Sequence, residues 1–262
     1  MGDYSGGVSS SYRFRSGVAT DVGHRRDTNE DSYGTADDLF IVADGMGGHD
    51  AGEVASALTV KALLTGREEH GDKLVELTDL QQWLTTGNKE VFDYSNGRAG
   101  TTVTLLCAVK HEGVERLAVI NVGDSRTYLY RSADEQLVQL TEDHSVVQEM
   151  LRSGHITADE ARHHRAKNMI TRAVGSQLRL TADVMMLDAA VGDRFLLCSD
   201  GLSNAVDHHE IGLVLTSAQT PQDAADTFVE QALDLDGSDN ITAVVVEVLD
   251  APPETDHQKV QQ

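Results

Sequence analysis

Acidic residues recur in this sequence where strand-like apolar runs meet loops. The acidic stations are Glu30 with Asp31, Asp44, Asp124, Asp200 and Asp239. Asp44 and Asp200 each end an apolar run, and each is followed by glycine. Taken alone, an Asp-Gly pair is an ordinary turn. Taken together, the apolar runs would carry these acids to the ends of sheets, where the carboxylates could converge.

Converging carboxylates would need a cation. Carboxylates that lie close together repel and raise each other's pKa unless positive charge lies among them. Ligand sets made only of oxygen suit hard ions such as Mg²⁺ and Mn²⁺. Two such ions about 3.5–4 Å apart can activate a water and support an in-line displacement at phosphorus. The pattern is therefore compatible with metal-assisted displacement at phosphorus.

The glycine-rich stretch "DGMGGHDAG" at 44–52 fits this chemistry better than it fits a nucleotide loop. Gly45 allows the backbone to approach an ion closely and to offer its carbonyl as a ligand. The rival interpretation is a dinucleotide-binding loop, because a strand precedes the glycines and a helix follows them. Counted from Gly45, that motif requires glycine at position 50, which is Asp50. An acid at that position would repel a pyrophosphate.

Apolar periodicity places strands and helices along most of the chain. Strands are predicted at 13–22, 39–44, 101–109, 116–124, 126–131, 137–141, 179–187, 193–200 and 241–249. Helices are predicted at 52–65, 79–95, 143–153, 158–165, 207–217 and 221–234. Short turns separate several strands, which favours antiparallel sheets with helices packed outside them, an α+β fold. We predict one domain at 11–250 between flexible tails at 1–10 and 251–262.

The composition excludes some classes of partner. The chain has 43 acidic and 21 basic residues, a net charge of −22, which argues against a nucleic-acid or anionic-membrane surface. Both cysteines, Cys107 and Cys198, lie in apolar runs and are predicted to be reduced core residues. The sequence contains no apolar run near the roughly 18 residues of a membrane span. We therefore expect a cytoplasmic protein without an integral membrane segment.

Eight blocks of the sequence carry a resemblance to a known family. They are "RRDTNED", "VADGMGGHDAGEVAS", "AGTTVT", "NVGDSRTYLYR", "LTEDHS", "ITRAVG", "LLCSDGLSNAV" and "GSDNITAVVV". In this order, over residues 13–249, they resemble the metal-dependent protein serine/threonine phosphatases of type 2C, the PPM family, in their compact bacterial form. The resemblance implies a central sandwich of two antiparallel β-sheets flanked by antiparallel helix pairs. It also implies Mn²⁺ or Mg²⁺ as cofactor and phosphoserine and phosphothreonine in proteins as substrate.

The resemblance also implies roles for the acids of the metal centre. Asp44 would bridge two core ions, and the Gly45 carbonyl would bind the first of them. Asp200 and Asp239 would bind the second ion, and Asp200 with Asp124 would bind a third, weaker one. Glu30 falls at a position where the family carries an acid that often acts through water.

Further residues are implied around those ligands. Asp31 would be the neighbour that supports Glu30, and Asn240 would orient Asp239 and its loop. Arg26 falls where the family keeps a phosphate-binding arginine. Its guanidinium can donate two parallel hydrogen bonds to a phosphoryl group.

Two parts of the family pattern differ or stay open in this sequence. Animal members carry a proposed general acid, a histidine, directly after the Asp-Gly pair, where this chain has Met46. His49 is one candidate for that role, and a water on a metal ion is the other. Residues 144–175 match the flap segment of bacterial members. Within it, Asn168 lies where such flaps approach the third ion.

Several functions are compatible with this fold. The first is an active phosphatase acting on phosphorylated proteins and opposing a Ser/Thr protein kinase and its substrates, with a monomer as the simplest state. The second is a catalytically silent phosphoprotein-binding module, although such a protein would be expected to have lost at least one of the acids. The third is a stress-regulator phosphatase acting on an anti-sigma-factor antagonist. Those relatives usually carry sensory domains and diverge in the blocks around Glu30 and Asp44.

Overall fold

The structure, a computed structural model, describes residues 10–47, 51–157, 160–161 and 164–252. Its first sheet has five strands in the order β1-β12-β11-β8-β9, and every neighbouring pair is antiparallel. The strands of this sheet are β1 (Arg13–Asp21), β8 (Arg126–Arg131), β9 (Gln136–Gln139), β11 (Arg194–Cys198) and β12 (Ile241–Asp250).

The second sheet has seven strands, five of them in the order β10-β7-β6-β3-β2. These strands are β2 (Asp31–Thr35), β3 (Leu39–Met46), β6 (Val103–His111), β7 (Val114–Val122) and β10 (Asp183–Leu187). Two two-residue strands lie off this path: β4 (Val75–Glu76) pairs with β6, and β5 (Gly100–Thr101) pairs with β3. The β4–β6 pair is parallel, whereas the other pairs of this sheet are antiparallel.

The two sheets pack face to face over an apolar layer. Phe40 of β3 and Leu106 of β6 lie in one buried cluster with Phe195 of β11 and Val244 of β12. Strands β6, β11 and β12 are apolar at nearly every position because helices cover their other faces. The side chains of both inner faces together form the centre of the sandwich.

Helix pairs cover the outer face of each sheet. Helices α1 (Ala51–His70) and α2 (Leu77–Ser95) pack on the second sheet through Leu63, Leu80 and Leu84. On the first sheet the outer layer contains α4 (Asp200–Ser203), α5 (His208–Ser217) and α6 (Pro221–Leu235), while α3 (Val146–Arg152) follows β9. The prediction of an α+β sandwich flanked by helix pairs is confirmed.

Helix α6 begins where its sequence signals predict. Thr220 Oγ1 accepts a hydrogen bond from the backbone N–H of Asp223 at 3.1 Å, and the Asp223 carboxylate accepts one from the Thr220 N–H at 3.0 Å. Pro221 is the first helical residue, where its missing N–H costs nothing. This reciprocal capping box fixes the start of the helix.

Some element predictions were wrong. Strand β2 was missed because its sequence, "DSYGT", has little apolar periodicity and becomes extended by pairing with β3. The strand predicted at 179–187 begins only at Asp183. The strand predicted to reach Asp200 ends at Cys198, because Asp200 begins α4.

Other sequence predictions stay untested. The helix predicted at 158–165 lies partly outside the described residues, and so do most of the predicted tails. Within the described part of the chain, no helix has the length and apolar character needed to cross a membrane.

Candidate metal centre

The predicted acids come to one end of the sandwich from both sheets. Asp44 lies near the end of β3, Asp124 lies in the connection from β7 to β8, and Asp200 follows β11. Burial raises the pKa of Asp44 well above its usual range, and the nearby charges of Asp31, Asp200, Asp124 and Asp239 raise it further. The charges of these acids therefore act on one another at this end of the sandwich.

The backbone of Asp44 is held by two threonines of the "AGTTVT" block. The Asp44 N–H donates to Thr102 Oγ1 at 2.9 Å, and the Asp44 carbonyl accepts from the Thr102 N–H at 2.8 Å. The same carbonyl accepts from Thr101 Oγ1 at 2.9 Å. The sequence pattern assigned no role to these threonines, although they belong to one of the eight blocks that carry the family resemblance. Their hydroxyls fix the position from which the Asp44 carboxylate projects.

The glycines next to Asp44 are required by close packing. A Cβ added to Gly45 would lie 2.1 Å from the Gly52 carbonyl oxygen and 2.6 Å from that of Glu30. A Cβ added to Gly52 would lie 2.5 Å from Glu30 Oε1. The Gly45 N–H also donates to the Glu30 carbonyl at 3.1 Å. The first turn of α1 can therefore approach β3 and the Glu30 side chain only because both positions lack a side chain.

Asp31 lies behind the centre, opposite Asp44 in the β2–β3 pairing. One of its oxygens, Oδ2, accepts hydrogen bonds from Ser199 Oγ and Thr242 Oγ1, both at 2.7 Å. The other oxygen, Oδ1, is buried and has no hydrogen-bond partner. Burial raises the pKa of Asp31 to about 7, the two hydroxyls oppose that rise, and Asp200 adds to it. An unpartnered carboxylate oxygen behind Asp44 suits a positively charged neighbourhood.

Asn240 ties Asp239 to the loop that precedes β2. Its Nδ2 donates to the carbonyls of Val22 and Thr28, each at 3.0 Å. Its Oδ1 accepts from the Glu30 N–H at 2.8 Å, and its own N–H donates to Asp239 Oδ1 at 2.9 Å. This buried side chain therefore links two acidic stations that are 209 residues apart in sequence, positions 30 and 239.

Arg26 lies at the open side of the centre. Its Nη2 donates to Asp239 Oδ2 at 2.8 Å, and about half of its side chain is exposed. The hydrogen bond from Arg26 to Asp239 raises the pKa of the guanidinium, with smaller contributions from the charges of Glu30 and Asp44. A cation that faces solvent beside the acids is available to a phosphoryl group.

Asp124 and Asp200 border a cavity of about 860 Å³. Its other walls include Val147, Leu151 and Lys167 of the predicted flap segment, together with Asn204 and His208. The pKa of Asp124 is raised to about 7, mainly by burial and also by the charges of Asp200 and Asp143, while Arg126 opposes the rise. The cavity connects the acidic end of the sandwich with the predicted flap segment.

The residues fit divalent ions by the chemistry of their donors. No group of three or more His, Cys, Asp or Glu side chains in the described ranges is arranged closely enough to count as a formed ion site. Asp239 is instead paired with Arg26. The acids nevertheless contribute only oxygen, they repel one another, and one Asp31 oxygen lacks a partner. Hard divalent ions such as Mn²⁺ or Mg²⁺ are the cations that such a set prefers.

Two predicted site residues are not placed at this centre. His49 lies outside the described residues, so its role as a proton donor stays a prediction. Asn168 is exposed, and its neighbour Lys167, rather than Asn168 itself, is among the cavity-lining residues. The approach of Asn168 to a third ion therefore also stays a prediction.

Comparisons with known proteins agree with this fold. Residues 23–234 match the family described as protein phosphatase 2C. The chain belongs to that family and is a metal-dependent protein phosphatase, a hydrolase.

Particular relatives show how far the similarity extends. The chain is 38% identical over 240 residues to the serine/threonine phosphatase stp of Listeria monocytogenes, covering 87% of this chain and 93% of the relative. The crystal structure of the serine/threonine phosphatase PstP/Ppp of Mycobacterium tuberculosis matches with a TM-score of 0.82 at 35% identity, covering 90% of this chain and 99% of that one. A structure of the PstP catalytic domain in complex with two manganese ions matches with a TM-score of 0.81 at 36% identity, covering 91% of this chain and 100% of that one.

Proposed function

We propose that this protein hydrolyses phosphoserine and phosphothreonine in phosphorylated proteins, with water as the nucleophile and Mn²⁺ or Mg²⁺ at two core positions. The ions, when bound, would supply the positive charge that polarises the phosphoryl group and acidifies the attacking water. The observation that supports this proposal most directly is the convergence of Asp44 with four other acids from separate segments.

The core ions would be held by oxygen atoms from both sheets. Asp44 would contribute its carboxylate to both ions, and the Gly45 carbonyl, next to it in the same strand, would contribute to one of them. Asp200 and Asp239 contribute from the ends of the first sheet, and Glu30 contributes from the loop before β2. Asp31 and Asn240 do not bind ions in this proposal. Their hydrogen bonds fix the β2 end and the Asp239 loop.

Arg26 binds the phosphate of the substrate. Its planar guanidinium can donate two hydrogen bonds to phosphoryl oxygens, which orients the phosphorus for attack from the opposite side. In the structure the same side chain donates to Asp239, so a bound phosphate would compete with or extend that contact. His49 or a water would protonate the leaving alkoxide oxygen, which then becomes the hydroxyl group of the serine or threonine.

The wider environment is also part of the proposal. Asp124 and Asp200, which line the cavity that the flap segment borders, would hold a third, more weakly bound ion. We expect a monomeric cytoplasmic enzyme that opposes a Ser/Thr protein kinase. Two buried cysteines without a disulfide agree with a reducing compartment. Light scattering, cell fractionation and phosphoproteomics of cells carrying Asp239→Ala would test these three expectations separately.

The Asp44→Asn variant tests the catalytic proposal. It should release no phosphate from a phosphothreonine peptide at any Mn²⁺ concentration, while exposed Asp37→Asn should behave as wild type. Undiminished turnover by Asp44→Asn would refute the proposed site. If the wild-type protein binds the phosphopeptide but never hydrolyses it, the chain is a silent binding module instead. Selective activity on a phosphorylated anti-sigma-factor antagonist would favour the stress-regulator alternative.

A further inference from the structure

Two consecutive residues, Asp143 and His144, hold the turn that carries Asp124, and we call this pair the clasp. Two residues after Asp124, the Arg126 guanidinium donates to the Asp143 carboxylate through two parallel bonds, Nε to Oδ1 at 2.8 Å and Nη2 to Oδ2 at 2.7 Å. Both side chains of this ion pair are largely buried. A forked pair of this kind fixes orientation as well as distance.

On the other side of Asp124, His144 holds Gly123 through two hydrogen bonds. The Gly123 N–H donates to the imidazole Nδ1 at 3.1 Å, and the His144 N–H donates to the Gly123 carbonyl at 2.9 Å. Gly123 has a positive φ of 102°, and a Cβ there would lie 2.6 Å from Thr102 Cγ2. The clasp therefore holds the backbone before Asp124 and the Arg126 side chain after it.

The clasp is also joined to the flap segment, residues 144–175. The His144 carbonyl accepts from the Thr171 N–H at 2.7 Å, so the two ends of the segment meet at this residue. Ser145 forms a β-bridge with Ile170, and the Val146 N–H donates to the Met169 carbonyl at 2.9 Å. Because His144 is the first residue of the flap segment, the clasp joins the base of that segment to the turn that carries Asp124.

We propose that Asp143 and His144 are positioning residues that hold Asp124 in place for an ion and join its position to the base of the flap segment. This inference rests on the proposed role of Asp124 in the third ion position. Neither clasp residue contacts the reacting atoms in this proposal. The need for such support is physical, because Asp200 and Asp143 both repel the Asp124 carboxylate.

Two nearly isosteric variants of His144 separate positioning from a general structural role. In His144→Asn the amide oxygen takes the place of Nδ1 and can still accept from the Gly123 N–H, whereas in His144→Gln the amide lies further out and cannot. In the metal-free full-length protein, exchange of the Gly123 amide should be about five- to tenfold faster in His144→Gln and close to wild type in His144→Asn. Asp183→Asn is the matched control, since the Asp183 carboxylate lies on the far side of the imidazole, 3.2 Å from Nε2, where it also accepts from Arg172 Nη1 at 2.7 Å.

Calorimetric titration with Mn²⁺ then tests the consequence for the ion. The most weakly bound ion should lose about five- to tenfold in affinity in His144→Gln, and His144→Asn should restore it. Equal Gly123 exchange in the two variants, or equal Mn²⁺ affinity, would overturn the proposal. An Asp124→Asn variant that binds Mn²⁺ as wild type would show that the role of Asp124 was misassigned, even if the exchange difference remains.

Discussion

Asp31 lies directly opposite Asp44 between β2 and β3, and its charge is the largest electrostatic contribution to the raised pKa of Asp44 after burial. Ionising both carboxyl groups therefore costs free energy unless positive charge lies nearby. This relationship has a consequence for stability as well as for catalysis.

We expect the metal-free protein to lose stability as pH rises from about 4 to about 7. The folded pKa values of Asp31 and Asp124 are each raised to about 7, above the 3.8 of an unperturbed aspartate. Between those values the folded protein binds more protons than the unfolded chain, so the free energy of unfolding falls with rising pH, and the contribution of these two groups is lost once pH passes about 7. Urea unfolding in chelator at a series of pH values measures this.

The Asp31→Asn variant is the control for that experiment, because it removes one titrating group while the overall acidity stays nearly the same. Its stability should fall less steeply with pH than that of wild type. Added Mn²⁺ should raise the melting temperature of wild type more at pH 7.5 than at pH 5.5. A metal-free protein that gains stability as pH rises would contradict the raised pKa values.

Arg26→Ala should impair substrate binding more than the same substitution at the neighbouring position, Arg25→Ala, does. Loss of two charge-assisted hydrogen bonds to phosphate predicts a decrease in kcat/KM of about 10- to 100-fold, mostly through KM. Arg25→Ala removes a cation of the same charge from the adjacent exposed position and should stay within about twofold of wild type. Steady-state kinetics with a phosphothreonine peptide compare them, and equal effects of the two variants would remove the special role of Arg26.

Gly45→Ala should destabilise the protein by about 2–4 kcal/mol, because the added Cβ meets the Gly52 backbone. Gly212→Ala makes the same chemical change in α5, where the nearest atom to the added Cβ is Leu137 Cδ2 at 3.8 Å. That variant should stabilise the protein by about 0.5–1 kcal/mol, since alanine is the better helix former. Urea unfolding distinguishes them, and a stable Gly45→Ala protein would show that the α1 approach is not close.

Arg67→Ala should cost about 3–5 kcal/mol of stability while leaving turnover unchanged in the folded protein. Arg67 donates Nε to Asp38 Oδ1 at 2.6 Å and Nη2 to Asp38 Oδ2 at 3.1 Å, and its loss leaves the buried Asp38 carboxylate uncompensated. Lys89→Ala, which breaks an exposed pair with Asp93, should cost less than about 0.5 kcal/mol. Similar losses in both variants would indicate that the Asp38 site is hydrated.

The sequence placed four of the acids beside apolar runs, and the structure has a strand next to each: Asp44, Asp124, Asp200 and Asp239. Asp31 begins β2, whose sequence has little apolar periodicity, so that strand was not predicted. The sequence could not predict which polar groups support the acids. Thr242 donates to Asp31 across 211 residues, and the Gly123 N–H meets His144 across 21. Such pairings depend on strand order, which local patterns do not contain. The sequence indicates only that Gly45 allows the backbone to approach an ion. In the structure its missing side chain also makes room for Gly52.

The connection that carries Asp124 is where the chain passes from the second sheet to the first, while Asp44 belongs to one layer and Asp200 to the other. Their spacing therefore persists only while the two layers keep their alignment. That alignment is set by the shapes of interior side chains such as Phe40 and Phe195, which have no directional bonds. The packing of the apolar core between the sheets is thus expected to affect the turnover rate. Substitutions that change this packing should lower turnover while the strands remain intact.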